Sequence, residues 1–382
     1  TGRGPAALRM TYVGAGRDGG TPRTALIPPE PLLEMPTSEL TVAELLKEAG
    51  YTTAHFGKWH VGRTDPARHG FDASDGATSN GGPDNVASPN PKQAYGMTER
   101  GIAFMAKAKA AGKPFYLQLS HYPNQERKEG ARPGRDSATA DADEIDKTFG
   151  LLLDGLERLG LTGSTYIFYT ADHGGQGRTN NAPLSGGKGS VLEGGLRVPG
   201  IVEWPAVITK PRATPYPAGT FDIFPTIAEI TKLPDTALLK PLDGISIRPL
   251  FTNELPERPK AMGFRHTRRA ALIGNRHKIV ALNINLPKYE VYDLQTDPRE
   301  ENDLSASQPE LTARLSKELL AWNESVQASV AGRDYPEGRL VPGDQTTRPW
   351  PTSPEYKPYL EQLQKRPEYR TAATKAGKKG VD

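Results

Sequence analysis

Cysteine is absent from this chain of 382 residues. That excludes a disulfide framework, a thiolate metal site and a cysteine nucleophile within these residues. Long apolar runs are missing too: no stretch of ~18 apolar residues occurs, so nothing reads as a membrane-spanning helix. No apolar h-region opens the chain, so no secretory signal is visible. Net charge is small. Lys plus Arg is 48 and Asp plus Glu is 45, a balance of +3. No dense basic stripe with interleaved aromatics accompanies it, so a nucleic-acid partner is not expected. Aromatics make up 7% and hydrophobic residues only 36%, whereas glycine (40) and proline (35) are plentiful. That balance suits a loop-rich enzyme of one large and one smaller domain better than a compact helical protein.

What is there alternates between helix and strand signals. Residues 1–40 lack periodicity and read as loop. The chain opens on Thr1-Gly2-Arg3 without an initiator Met or a first strand, which reads as a fragment. Thr41-Val42-Ala43-Glu44 is a capping box ahead of Leu45 and Leu46, with Gly50 placed as a C′ glycine. A strand is expected over 51–56, a helix over 98–111, a buried strand over 114–120, and a helix over 141–159 with one apolar stripe. Further strands are expected over 165–170 and 198–203. Such alternation predicts an α/β fold, a mostly parallel doubly wound sheet flanked by helices. After about residue 260 the pattern changes. Short runs at 270–274, 278–282 and 289–294 predict a small antiparallel sheet, closed by a helix over 309–330. The expected domains are 1–260, a smaller C-terminal α+β subdomain at 261–331, and a Pro-rich basic tail at 332–382 that is extended or disordered.

Three segments carry candidate chemistry. Gly57-Lys58-Trp59-His60-Val61-Gly62 follows a strand, where open α/β sheets place ligands. Lys58 and His60 are two apart, so in an extended segment both leave on one face. A fixed ammonium beside an imidazole suits a tetrahedral oxyanion with a leaving oxygen to protonate. The plain alternative is a solvated lysine and a histidine hydrogen-bonded near Trp59. Thr170-Ala171-Asp172-His173-Gly174-Gly175 also ends a strand. Asp172 suits Ca²⁺ or Mg²⁺, while His173 is the softer ligand typical of Zn²⁺. Alternatively, Asp172 caps the next turn. Two ligands are too few for a site, so others must come from elsewhere. In Asn181–Pro199, Lys188 lies in a glycine-rich stretch that can approach an anion closely, while Glu193 and Arg197 are four apart and are expected to pair and shape the loop. Arg268, Arg269 and Arg276 read as ordinary surface.

Together these segments resemble the type I, arylsulfatase-like sulfatases of the alkaline-phosphatase superfamily, over roughly residues 1–330. GYTTAHFGKWHVG at Gly50–Gly62 is similar to the second sulfatase signature almost letter for letter. FYTADHGG resembles the family's metal-binding strand end, and NAPLSGGKGSVLEGGLRVPGIVEWP the segment with the second active-site lysine. Phe221–Thr226, Leu242–Ser246 and Tyr289–Leu304 are similar to later landmarks.

The resemblance implies a sulfuric ester hydrolase. A cysteine or serine converted to formylglycine supplies the hydrated aldehyde that attacks sulfur, and calcium (magnesium as the alternative) helps hold sulfate and nucleophile. By motif position it makes Asp172 and His173 metal ligands and puts Lys58 and Lys188 on sulfate oxygens. His60 would assist the nucleophile, and His121 would contact substrate. It implies a sulfated small molecule or glycan as substrate, a formylglycine-generating enzyme as maturation partner, and a periplasmic or secreted location. Departures accompany it. The Cys/Ser-x-Pro-x-Arg signature is absent, and its expected place is just before Thr1. The acidic pair with the other metal ligands is absent as well. In His121-Tyr122-Pro123-Asn124-Gln125 a neutral residue sits nearest the place of the family's leaving-group acid. This chain alone is therefore expected to be inactive. Competing readings are a non-catalytic anion- or glycan-binding relative and a phosphoesterase of the same superfamily. The Gly-Lys-Trp-His motif favours the sulfatase branch.

Overall fold

A reciprocal cap starts the first helix. The Thr41 hydroxyl accepts the Glu44 N–H at 3.1 Å, and the Glu44 carboxylate accepts the Thr41 N–H at 2.8 Å. The computed structural model describes residues 1, 34–37, 39–78, 94–121, 136–176, 181–234, 237–238 and 241–330, with side chains of the helix at 136–158 described from 143. All of them fall in one unit of the chain, Thr1–Val13 with Pro31–Val330. The tail expected over 332–382 lies outside the described residues.

Helix α1 (Val42–Glu48) leads into strand β1 (Thr52–Gly57). Strand β2 (Ala73–Ser74), helix α2 (Ala94–Ala110) and strand β3 (Phe115–Ser120) follow. β1 is the centre of a parallel sheet in the order β2-β1-β3, with Thr52 opposite Phe115 and Gly57 opposite Ser120. β1 is covered on both faces, Ala54 and Phe56 against Met97 of α2 and His55 against the rings of Trp59 and Phe71, so its polar and apolar side chains alike are buried. Ala54, Phe56 and Met97 form the core between this sheet and α2. On α1, Leu45 and Leu46 pack with Phe224, Ile227 and Ala228; each leucine contributes ~1.5–3 kcal/mol by burial.

Helix α3 (Asp136–Arg158) precedes strand β4 (Ile167–Thr170), the one-turn helix α4 (Glu193–Leu196), strand β5 (Gly200–Glu203) and helix α5 (Ile223–Ile230). β4 and β5 pair antiparallel, Ile167 opposite Glu203 and Thr170 opposite Gly200. The strands expected at 165–170 and 198–203 both form, and they make an antiparallel pair in a fold expected to be mostly parallel. A parallel return needs a crossover of a dozen or more residues, usually a helix. Among the described residues of the connection at 171–199 the one α-helix is the four-residue α4, too short to carry the chain back across a sheet, and the chain returns beside itself.

The landmarks at 221–226 and 242–246 meet through Asp222. Its Oδ1 accepts the Ile245 N–H at 2.8 Å, and both oxygens take the Arg258 guanidinium, at 2.8 and 2.9 Å. Beyond them stands a four-stranded antiparallel sheet in sequential order: β6 (Met262–His266), β7 (Arg269–Ile273), β8 (His277–Ala281) and β9 (Glu290–Asp293). The sequence suggested three of these strands. β6 escaped because Gly263 and the basic Arg265 and His266 blur its pattern. Helix α6 (Pro309–Val330) closes the sheet, with Leu315 and Leu319 packed on Leu272, Ile279 and Val291. Among the described residues the architecture is mixed α/β, with a three-stranded parallel sheet, a two-stranded antiparallel pair and a four-stranded antiparallel sheet.

Candidate active site

The first motif leaves β1 at Gly57, whose backbone runs against the next strand. A Cβ there would lie 2.1 Å from the Ser120 carbonyl oxygen, and φ is 97°, so only glycine fits. The loop is then pinned by backbone. Lys58 N–H donates to the Ser120 carbonyl at 2.8 Å. Thr78 grips it three times. Its hydroxyl donates to the Gly57 carbonyl at 2.6 Å and accepts the Trp59 N–H at 3.0 Å. Its carbonyl accepts the His60 N–H at 2.8 Å. Asp75 adds a bond from the Gly57 N–H at 2.8 Å and is held in turn by Arg100 at 2.8 Å. Thr78 and Asp75 were missed from sequence; no spacing signal marks a side chain that serves a neighbouring backbone.

His60 takes φ 52°, the left-handed region. Residues 58–60 are therefore not an extended segment, and the alternation argument for placing Lys58 and His60 on one face does not hold here. They are nonetheless neighbours. Burial and then the charges of Lys58 and Lys188 push the His60 imidazole below its ordinary pKa, and Asp172 opposes them. Residues from all three motifs thus act on one ring. Strain at a non-glycine left-handed residue costs on the order of 1 kcal/mol and persists where surroundings over-determine it.

Beneath the loop, Trp59 sits among His55, His69 and Phe71, with ring centroids at 5.1, 5.4 and 5.8 Å. His55 bonds Ser120 Oγ at 3.2 Å, and burial pushes its pKa down to about 4. Trp59 is thus anchored by ring packing, and the histidines packed against it are His55 and His69.

The second motif ends β4. His173 Nδ1 donates to the Gly174 carbonyl at 2.8 Å, the backbone tie a metal-ligating histidine usually has. Nε2 lies 3.2 Å from Asp172 Oδ2, so the second ring nitrogen and the carboxylate stand side by side. Among the described residues no group of three or more potential ligands forms. Asp172 and His173 fit one corner of a cation site; an imidazole is a poor donor for calcium, which takes six to eight oxygens.

The third motif is sewn to the second. Lys188 N–H donates to the Gly175 carbonyl at 3.0 Å, and Gly174 N–H to the Gly195 carbonyl at 3.0 Å. At Gly174 a Cβ would stand 1.8 Å from the Gly194 carbonyl oxygen. Lys188 and Asp172 are exposed, Lys58 and His60 half-buried, so the charges open to solvent.

Glu193 does not pair with Arg197. Its carboxylate turns inward to Lys278 Nζ, 2.9 Å away, while Arg197 lies exposed past the end of the turn and meets Glu193 only through its N–H, at 2.7 Å from the Glu193 carbonyl. A one-turn helix cannot present two side chains four apart to each other when one is drawn into a buried ion pair. Arg276 and Arg269 are not plain surface either. Arg276 forks onto Asp293 at 2.9 and 2.6 Å and holds that carboxyl down at about 2. Arg269 donates to the Gly189 carbonyl at 3.2 Å, beside Lys188. His121, at the end of β3, has its Nε2 buried without a hydrogen-bond partner, and burial lowers its pKa.

Three loops at or near strand ends, with two lysines and an aspartate in electrostatic range of one imidazole, define an α/β protein with a cation-rich strand-end site. The Sulfatase family model matches residues 27–233, and the chain belongs to that family. It is 30% identical to human N-acetylgalactosamine-6-sulfatase over 67% of this chain and 56% of that protein. It is 31% identical to bovine arylsulfatase A over 57% of this chain and 52% of that one. The chain thus spans about half the length of the curated relatives it matches. The fold is similar to that of Ps i-CgsB, solved in complex with k-i-k-neocarrahexaose, at a TM-score of 0.66 and 21% identity, covering 91% of this chain and 87% of that one.

Proposed function

We propose that this chain forms the sulfate-recognition part of a sulfuric ester hydrolase acting on sulfated glycans or smaller sulfate monoesters. One observation carries the reading: backbone bonds join the Lys188 segment to the Asp172–His173 strand end, at Lys188 N–H to the Gly175 carbonyl and Gly174 N–H to the Gly195 carbonyl, and Lys58, Lys188 and Asp172 all lie within electrostatic range of the His60 ring. Lys58 and Lys188 hold the sulfate oxygens as fixed charges. Electrostatic stabilisation of this kind is usually the largest single catalytic term. His60, kept neutral by burial and the two ammonium groups, accepts a proton from the attacking group. His121 lies beside the Lys58 loop and, with Nε2 unpartnered, contacts the leaving part of the ester. Asp172, with His173 beside it, would hold one corner of a calcium or magnesium ion, the carboxylate being the donor such an ion prefers. In the family, such an ion together with formylglycine supplies charge neutralisation and the nucleophile.

No Cys-x-Pro-x-Arg or Ser-x-Pro-x-Arg occurs in the 382 residues. The proposal therefore assigns the nucleophile, and maturation by a formylglycine-generating enzyme, to the product of the whole reading frame. That same absence is the observation favouring the second reading, a non-catalytic anion- or glycan-binding relative. A polymeric glycan is met outside the cytoplasm, which supports a periplasmic or secreted setting. Among the described residues no helix is long and apolar enough to cross a membrane.

The test has two stages. Calorimetry should show para-nitrophenyl sulfate binding to the chain, lost in Lys58→Ala. The matured whole product should then hydrolyse it faster than para-nitrophenyl phosphate. Binding without turnover would favour the second reading; faster phosphate hydrolysis would point to the phosphoesterase branch; no binding at all would end both anion-site readings.

A further inference from the structure

The segment that carries Lys188 has little structure of its own. Gly186, Gly187, Gly189, Gly194 and Gly195 deny it side-chain packing, and its only regular element is the single turn α4. Its place is set from outside. On one side stand the bonds to Gly175 and from Gly174. On the other stands the small sheet, through a buried triad. Lys278 on β8 is fully buried, with Nζ 2.9 Å from Glu193 Oε1 and 2.8 Å from Glu300 Oε1. The second Glu300 oxygen accepts the Glu193 N–H at 2.7 Å, at the first residue of α4. Next to Glu300, the Arg299 carbonyl accepts Ser185 Oγ–H at 2.7 Å. Both flanks of Lys188, at 185 and at 193, are therefore held by the turn at 299–300.

Stability alone is a poor account of this triad. A buried ion pair seldom outperforms well-packed apolar residues of the same volume, since desolvation offsets the Coulomb gain. Here two carboxylates meet one ammonium, so a negative charge is left over. Burial pushes the Glu300 carboxyl up from its ordinary pKa, and Lys278 opposes that shift. Glu300 also holds φ 58°, a left-handed conformation unfavourable for glutamate. An ionic cluster and a strained residue, side by side and joined to a functional loop, are what a fixed position requires.

We propose that Lys278 is a positioning residue for Lys188. By bridging Glu193 and Glu300 it locks α4, and with it the glycine-rich segment that carries Lys188. This rests on the anion-site reading above.

The experiment is hydrogen exchange on the whole chain, read by segment, alongside calorimetry with para-nitrophenyl sulfate. In Lys278→Met, amides of 185–195 should exchange ~10-fold faster or more while those of β7 and β9 keep their protection. The dissociation constant should rise ~5-fold, with the melting transition still cooperative. Unchanged exchange at 185–195 in a folded variant overturns the proposal. So does a uniform increase across loop and sheet, which would mark a merely structural role. If Lys278→Met does not fold, Glu300→Gln serves. It keeps the shape and the Lys278–Glu193 pair, and should show the same loop-specific acceleration to a smaller degree; no acceleration there overturns the proposal equally. Failure of the wild type to bind the aryl sulfate removes the anion-site reading, while the exchange data still decide whether Lys278 fixes the loop.

Discussion

The N–H of Lys188 donates to the carbonyl of Gly175 at 3.0 Å, joining the glycine-rich segment to the strand end that carries Asp172 and His173. This bond makes the two later motifs one body. The cation that would meet an anion and the carboxylate that would meet a metal cannot drift apart independently.

Lys58→Ala and Lys188→Ala should each weaken para-nitrophenyl sulfate binding by about 10- to 100-fold. A charge-assisted hydrogen bond contributes about 1.5–3 kcal/mol. Calorimetry on the chain reads the change directly, and an unchanged affinity in either variant would remove that lysine from the site.

Much of this was legible before any coordinates, for identifiable reasons. Thr41 and Glu44 announce α1 because a capping box is a local reciprocal contact. The bounds of α6 follow from Pro309 at its first turn and its apolar stripe. Lys58 and Asp172 stood out because each follows a strand end with glycines close by, and Lys188 because glycines bracket it. What stayed hidden is non-local or backbone-directed. Periodicity reveals that 167–170 and 200–203 are strands, but not that they run in opposite directions. The partner of Glu193 is Lys278, far along the chain, so the nearer Arg197 looked the natural choice. Thr78 does its work on main-chain atoms, which leave no trace in side-chain spacing.

Thr78→Val keeps the shape of the side chain and deletes one donor and one acceptor at the Lys58 loop. Leaving the Gly57 carbonyl and Trp59 N–H unsatisfied should cost about 1–3 kcal/mol. Chemical denaturation should show the loss, and aryl sulfate affinity should fall with it as Lys58 and His60 lose their register. Full affinity in a destabilised variant would show that the loop holds its place by other means.

Gly174→Ala should be more damaging than its size suggests. The new methyl would need to displace the Gly194 carbonyl, which lies 1.8 Å from its position. Overpacking of this kind costs about 1–3 kcal/mol. The change should lower the melting temperature and loosen the Asp172 and Lys188 loops together. Gly163→Ala, where a methyl meets nothing within 4 Å, is the control.

Acid should weaken the fold through His55. Its pKa lies at about 4 in the folded chain against an ordinary 6.5, chiefly because burial opposes the charge. The folded state therefore favours the neutral ring. The stability it contributes is complete above pH 6.5 and drains away as pH falls toward 4, where the unfolded chain has already taken its proton. The full effect is on the order of 3 kcal/mol. His69 and His121 are pushed in the same direction, so the reading is a difference. Between pH 7 and 5 the melting temperature of His55→Gln should fall less than that of the wild type; equal falls would show that His55 is not the sensitive group.

The antiparallel pairing of β4 and β5 has a consequence for portability. Thr170 stands opposite Gly200, so everything between them is a closed excursion whose two ends meet. Asp172, His173, Lys188 and Glu193 all ride on that excursion. They can be cut out and moved as a cassette, with a single splice site at the strand pair. A host sheet that offers a buried lysine and a carboxylate where Lys278 and Glu300 stand would have the sockets to receive it.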